Sequence, residues 1–272
     1  MRVIDFTSLL GFKPKTKEYG IKTITINLPL EGSLELAQWL HPHSGKINIL
    51  QEEINCLKTF INPDDVVIDI GAYTGDTAMP LAIVTGTSGA VLALEPNKYV
   101  FKVLEKNAAL LRHKGNIIPL PFAATPTNCE MEFEYSDSGF CNGGFHEGIS
   151  KWKHGHAYKL KVEGKNLVAY LKENHSDLLS RIRYVKVDAE GFDCTVLESI
   201  SEIIETQKPF IRVEVFKHSD LKYRNRLYNF LKNYNYSIHY FGGSTNYKGP
   251  LIEESDLMNW SHYDLFAIPK ID

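Results

Sequence analysis

Two groups of residues in this chain have the types and spacing to do chemistry. The first is the run DIGAYTGDT at 69–77, where an acid, Asp69, precedes Gly71 and Gly75. Glycines let a backbone turn sharply and come close to a ligand, and the helix that such a loop opens offers free N–H groups. The second is a set of acids: Asp188 and Glu190 in KVDAEG, and Glu214 in FIRVEVF. Asp188 and Glu190 share one side of an extended chain, with Lys186 deeper on that side, where it can pair with Asp188 as a structural ion pair. Carboxylates gathered this way can serve as a general base, or as a hard oxygen site for Mg2+ with Asp188 and Glu214 as ligands. The sequence leaves both open.

Twenty residues beyond Gly75 stands Glu95, followed by Pro96 and Asn97. A carboxylate at the end of the second strand accepts the ribose hydroxyls of an adenosine-containing cofactor. Nicotinamide dinucleotides and S-adenosylmethionine share that half-site. Here the spacing is G-x-x-x-G rather than G-x-G-x-x-G, and Asp69 just ahead of it would repel a pyrophosphate. The same acid suits the cationic amino-acid end of S-adenosylmethionine. A nicotinamide-dependent oxidoreductase is therefore the disfavoured alternative.

These groups need elements to hold them. Short runs rich in β-branched residues recur at 66–70, 90–95, 116–124, 184–190 and 210–216, most of them separated by helical patterns. Repeated β-α units predict an α/β, doubly wound sheet with its ligand at the carboxyl ends of the strands. Segments 236–241 and 263–268 read as a closing hairpin. Ahead of the first helical pattern (Ile54, Leu57, Phe60, Ile61), residues 23–28 alternate as a strand and 34–40 read as a helical turn or two. The expected organisation is an N-terminal extension, 1–50, packed on a catalytic domain, 51–272, that carries an insertion at 127–165.

With DIGAYTGDTA, LEPN, IIPLPFAA, YVKVDAEGFDCTVLESI and KPFIRVEVF in view, the chain closely resembles the FkbM family of S-adenosylmethionine-dependent methyltransferases. The likeness runs from about residue 51 to the end, and K-x-D-x-E-G (Lys186, Asp188, Glu190, Gly191) is its most specific part. It implies a Rossmann-like, seven-stranded, mostly parallel sheet with an antiparallel last strand. It also implies methyl transfer, usually to a hydroxyl of a sugar, glycan precursor or natural product, and sometimes to a peptide or amine nitrogen. By position, the resemblance puts Asp69, Gly71, Ala72, Tyr73, Gly75 and Thr77 along the amino-acid end of the cofactor. Glu95 and Pro96 fall at the ribose with Asn97 nearby, Phe122 and Ala123 at the adenine, and Asp188 between cofactor and acceptor. Tyr73 stands where the family more often has Asn or His.

The insertion is predicted to pair 129–135 with 158–162 as strands and to project the glycine- and aromatic-rich stretch between them beside the site. A loop of that length is usually a lid or acceptor wall. Within it Asn142, His146, Trp152 and His154 are the candidate acceptor contacts, with His146 as a further candidate base. A zinc site from His146, His154, His156 and Cys141 is the weaker reading, because the spacing matches no standard pattern. His-Pro-His at 41–43 reads as a turn. The N-terminal extension can cover the cofactor or supply a homodimer interface. A net charge of -3 argues against a nucleic-acid or membrane partner. Four scattered cysteines without a C-x-x-C pair, and no signal-like start, point to the cytoplasm.

Overall fold

The computed structural model describes residues 16–141, 143–144 and 158–270. Its central sheet has seven strands: β3 (Val66–Ile70), β4 (Ala90–Leu94), β5 (Ile117–Leu120), β10 (Ile182–Val187), β11 (Phe210–Val215), β12 (Tyr236–Tyr240) and β13 (Tyr263–Pro269). They lie in the order β12-β13-β11-β10-β3-β4-β5, and β13 is antiparallel to both its neighbours. The expected α/β Rossmann-like sheet with an antiparallel last strand is therefore what the chain forms. VVIDI and AVLAL are buried throughout because layers cover both faces of the sheet, which is why they read as continuous apolar runs. β4 and β5 follow β3 to one side while β10 lies on the other, so the chain opens a crevice at the carboxyl end of β3.

Helices α1 (Gln51–Leu57), α2 (Ala78–Thr85) and α3 (Lys98–Leu111) connect the first strands. All of α2 is buried, whereas α3 is amphipathic and is capped by Asn97, whose side chain accepts the Tyr99 N–H at 3.0 Å. Helices α4 (Leu167–Asn174), α5 (Asp193–Ser199), α6 (Ser201–Gln207) and α7 (Leu221–Asn233) complete the other half. Among the described residues no helix is long and apolar enough to cross a membrane.

Two local expectations change. Residues 34–40 are not helical: β2 (Gly32–Trp39) pairs with β1 (Ile21–Leu28) in an antiparallel hairpin. Leu34 and Leu36 are buried on one side of β2 and Glu35 between them is exposed, so a period of two prevails where a short apolar run left the period ambiguous. The run 116–124 also divides. β5 stops at Leu120, and β6 (Ala123–Ala124) joins a second sheet. In that sheet β6 lies beside three strands of the insertion. Its β7 (Cys129–Tyr135) and β9 (Tyr158–Lys165) pair antiparallel as the alternation predicts, with β8 (Gly143–Gly144) against β7. His41 to Ser44 form a turn, closed by Ser44 N–H donating to His41 O at 3.0 Å.

Candidate active site

The loop after β3 depends on residues in the left-handed region: φ is 77° at Gly71, 50° at Tyr73 and 92° at Gly75. Gly71 cannot be anything larger, since a Cβ there would lie 2.1 Å from the Asp188 carbonyl oxygen. The first glycine of the loop is thus pressed against the end of β10, bringing the two chemical groups of the sequence together. Below the loop, β3, β10 and β11 set Asp69, Lys186 and Arg212 side by side in register. Lys186 Nζ lies 3.3 Å from Asp69 Oδ1 and 3.4 Å from Asp188 Oδ2, and donates to Gly71 O at 3.1 Å. Asp69 is wholly buried. Its Oδ2 accepts from Thr77 Oγ1 at 2.7 Å, and Oδ1 has only the ion pair with Lys186.

A crevice of about 480 Å3 runs across these strand ends, a size suited to a small-molecule ligand. Gly71, Tyr73 and Thr77 line it from the loop, Glu95 and Pro96 from the end of β4, and Phe122 and Ala123 beyond β5. Asp188 and Glu190 line it from the end of β10. Asp69, Ala72, Gly75 and Asn97 do not; they lie behind this wall and support it.

Both oxygens of Glu95 are held by backbone: Oε2 accepts the Tyr73 N–H at 3.0 Å and Oε1 the Asn97 N–H at 2.8 Å. Burial pushes its pKa up to about 7 against those bonds. Burial, reinforced by the Asp188 charge, also raises Glu190 to about 7. Glu190 and Gly191 adopt φ of 52° and 98°, a turn fastened by buried Asp193, whose carboxylate accepts the N–H groups of Ala189 at 2.7 Å and Gly191 at 3.0 Å.

Glu214 is set apart. It lies one residue past the Val187–Val213 pairing, beside Asp188, but does not line the crevice. Its Oε1 meets His262 Nε2 at 2.7 Å, its Oε2 is buried without a partner, and burial with the nearby acids raises its pKa to about 10. Among the described residues no group of three or more His, Cys, Asp or Glu is arranged to hold a metal ion. Glu214 does not line the crevice, so Asp188 and Glu214 do not converge on it as a pair of Mg2+ ligands.

Several wall residues were not singled out from the sequence. Asp76 faces the crevice space but is enclosed by its walls, which raise its pKa, partly offset by Lys186. Its place next to Gly75 was a visible signal, and so was the position of Arg212, two residues before Glu214 on the same side of a strand. His43, from the N-terminal extension, and Cys141, from the insertion, also line the crevice, where the sequence reads as a turn and a weak zinc candidate. Cys141 Sγ lies 3.0 Å from Tyr73 Oη, and the buried ring of His41 meets Asp137 Oδ1 at 2.9 Å, so extension and insertion meet over the glycine loop. Asn142, His146, Trp152, His154 and His156 lie outside the described residues.

Among solved structures the chain is similar to precorrin-6y C5,15-methyltransferase from Geobacter metallireducens GS-15, at 13% identity and a TM-score of 0.45, covering 84% of this chain and 92% of that one. It is similar to an S-adenosylmethionine-dependent O-methyltransferase from Thermotoga maritima at 13% identity and a TM-score of 0.43, covering 92% and 78%. For a methyltransferase FkbM from Methylobacillus flagellatus KT the values are 14% and 0.42, covering 75% of this chain and 43% of that one. Among curated proteins none matches in sequence. The model of the methyltransferase FkbM domain matches residues 69–238, from the acid ahead of the glycine loop into β12, and the chain belongs to that family of methyltransferases.

Proposed function

We propose that the crevice binds S-adenosylmethionine and that the protein methylates a hydroxyl of a sugar, glycan precursor or natural product. The observation that carries the cofactor reading is the pairing of Glu95 with the glycine loop. A carboxylate fixed through both oxygens by backbone N–H groups keeps a free lone pair on each, which suits two ribose hydroxyls. Phe122, beyond β5, offers an apolar surface for the adenine, and Gly71, Tyr73 and Thr77 border the crevice where the amino-acid end would lie. When bound, the donor supplies an electrophilic methyl carbon on a sulfonium.

The chain's own contribution is placement and proton transfer. Glu190 lines the crevice with a pKa near neutrality, the condition for a general base at physiological pH. It takes the acceptor hydroxyl proton as the oxygen attacks the methyl carbon. Asp188, steadied by Lys186, orients the acceptor. Glu214, protonated and bonded to His262, lies beside Asp188 outside the crevice, and no step passes through a metal. An amine acceptor needs the same donor pocket, but a nitrogen that is already unprotonated attacks without a base; loss of Glu190 would then leave turnover intact. The test is isothermal titration with S-adenosylhomocysteine, followed by an acceptor screen with S-adenosylmethionine. Tight binding of the homocysteine compound supports the reading, and its absence refutes it.

A further inference from the structure

Arg212 is a cationic crevice residue that the proposed reaction leaves unused. It lies on β11 level with Lys186, and its guanidinium is fixed twice: it stacks over the Phe241 ring at 4.0 Å to the centroid, and one edge is held by Asp264. That edge is the Nε–Nη2 side, with Nε at 2.7 Å and Nη2 at 2.6 Å from the same oxygen, Asp264 Oδ2. The end-on edge, Nη1 with the second N–H of Nη2, has no protein acceptor among the described residues, and Arg212 lines the crevice. A guanidinium has two forks; one is filled and the other is open on a ligand cavity.

The open fork matches a planar, two-oxygen acceptor in bidentate geometry. Lys186 beside it is already taken up by Asp69, Asp188 and Gly71 O. Asp264 neutralises Arg212, and Asp76, Asp188 and Glu190 share the cavity, so a dianion such as a phosphate monoester would be repelled. A carboxylate monoanion asks for one fork and one charge.

We propose that Arg212 is the carboxylate receptor of this crevice, a role that rests on the cofactor reading above. The carboxylate has two sources: the amino-acid end of the methyl donor, or an acid group on the acceptor, as in a uronic acid. The strand order sets Arg212 two strands from the glycine loop, within reach of both.

The test compares wild type with the double variant Arg212→Gln/Asp264→Asn, which strands no charge in the sheet. Each is titrated with S-adenosylhomocysteine and with 5′-methylthioadenosine, which lacks the amino-acid end. Glucuronate, with glucose as its control, is then titrated onto the protein saturated with S-adenosylhomocysteine. If the donor supplies the carboxylate, the variant loses about tenfold or more in affinity for S-adenosylhomocysteine and nothing for methylthioadenosine, as expected for one charge-assisted contact. If the acceptor supplies it, both adenosine ligands bind unchanged, while glucuronate binds wild type, glucose does not, and the variant loses glucuronate. Equal losses for both adenosine ligands mark a structural role and overturn the proposal. So does a variant matching wild type throughout. Wild type that takes neither adenosine ligand refutes the cofactor reading itself.

Discussion

Asn107 on α3 holds Ala37 on β2 by both halves of its carboxamide: Oδ1 accepts the Ala37 N–H at 2.6 Å, and Nδ2 donates to Ala37 O at 3.1 Å. The same Nδ2 donates to Thr74 O at 2.8 Å, inside the glycine loop. A wholly buried side chain thus stands in for a neighbouring strand along β2 and ties the N-terminal hairpin to the backbone behind the crevice. Replacing Asn107 with Leu strands three buried backbone groups. The expected loss is about 3 kcal/mol of unfolding free energy, read by urea denaturation, with weaker S-adenosylhomocysteine binding as the loop loses its backing.

Gly71→Ala is expected to be worse than an ordinary surface change. The added methyl meets backbone rather than a movable side chain, and φ at this position is 77°. A destabilisation of about 3 kcal/mol or more is expected by thermal or chemical denaturation, with little S-adenosylhomocysteine binding by any folded fraction. The equivalent change at Gly86, where φ is 71° but nothing lies within 4 Å of the added carbon, should be milder.

The carboxyls of Glu53, Glu95, Glu190 and Asp193 are all raised to about 7, in each case first of all by burial. Asp193 belongs to this group despite the backbone N–H bonds that pull it the other way. A carboxyl whose folded pKa lies above its ordinary value contributes stability that is present below that ordinary value, about 4, and is lost as pH rises through about 7. The melting temperature of the ligand-free protein is therefore expected to fall between pH 5 and pH 8, roughly the range these shifts define. Affinity for S-adenosylhomocysteine should rise over the same range, because ribose hydroxyls donate to the ionised form of Glu95. Glu95→Gln should bind more weakly and flatten that rise; an unchanged pH profile would refute the ribose role.

With any acceptor that supports turnover, Glu190→Gln is expected to lower kcat by about 100-fold or more, the usual contribution of a general base, while S-adenosylhomocysteine affinity stays within about twofold. Asp188→Asn should also abolish most turnover and leave donor binding measurable. A fully active Glu190→Gln enzyme would move the reading to an amine acceptor.

The sheet was legible in the sequence because its strands are buried on both faces, and VVIDI or YVKV can be little else when bounded by turns. The acids of KVDAEG and Glu95 were legible for the same reason: a carboxylate at the end of such a strand stands out. The hairpin strand β2 was not, because Leu34, Leu36 and Trp39 fit either period; pairing with β1 decides it, and Asn107, 70 residues away along the chain, adds bonds to Ala37 on its far side. Strand alternation alone puts Glu214 in the crevice; its retreat behind the wall depends on His262, and no spacing or motif links those two residues along the chain. His43 and Cys141 reach the crevice where contacts such as His41–Asp137 and Lys17 N–H to Ser138 O bring extension and insertion together.

The most direct measurement is calorimetric titration of the purified protein with S-adenosylhomocysteine, run with and without Mg2+ and with NAD+ as the control. Binding of S-adenosylhomocysteine that does not depend on Mg2+, with no heat from NAD+, is the expected result. Binding of NAD+ in its place, or binding of S-adenosylhomocysteine only when Mg2+ is present, would contradict the account.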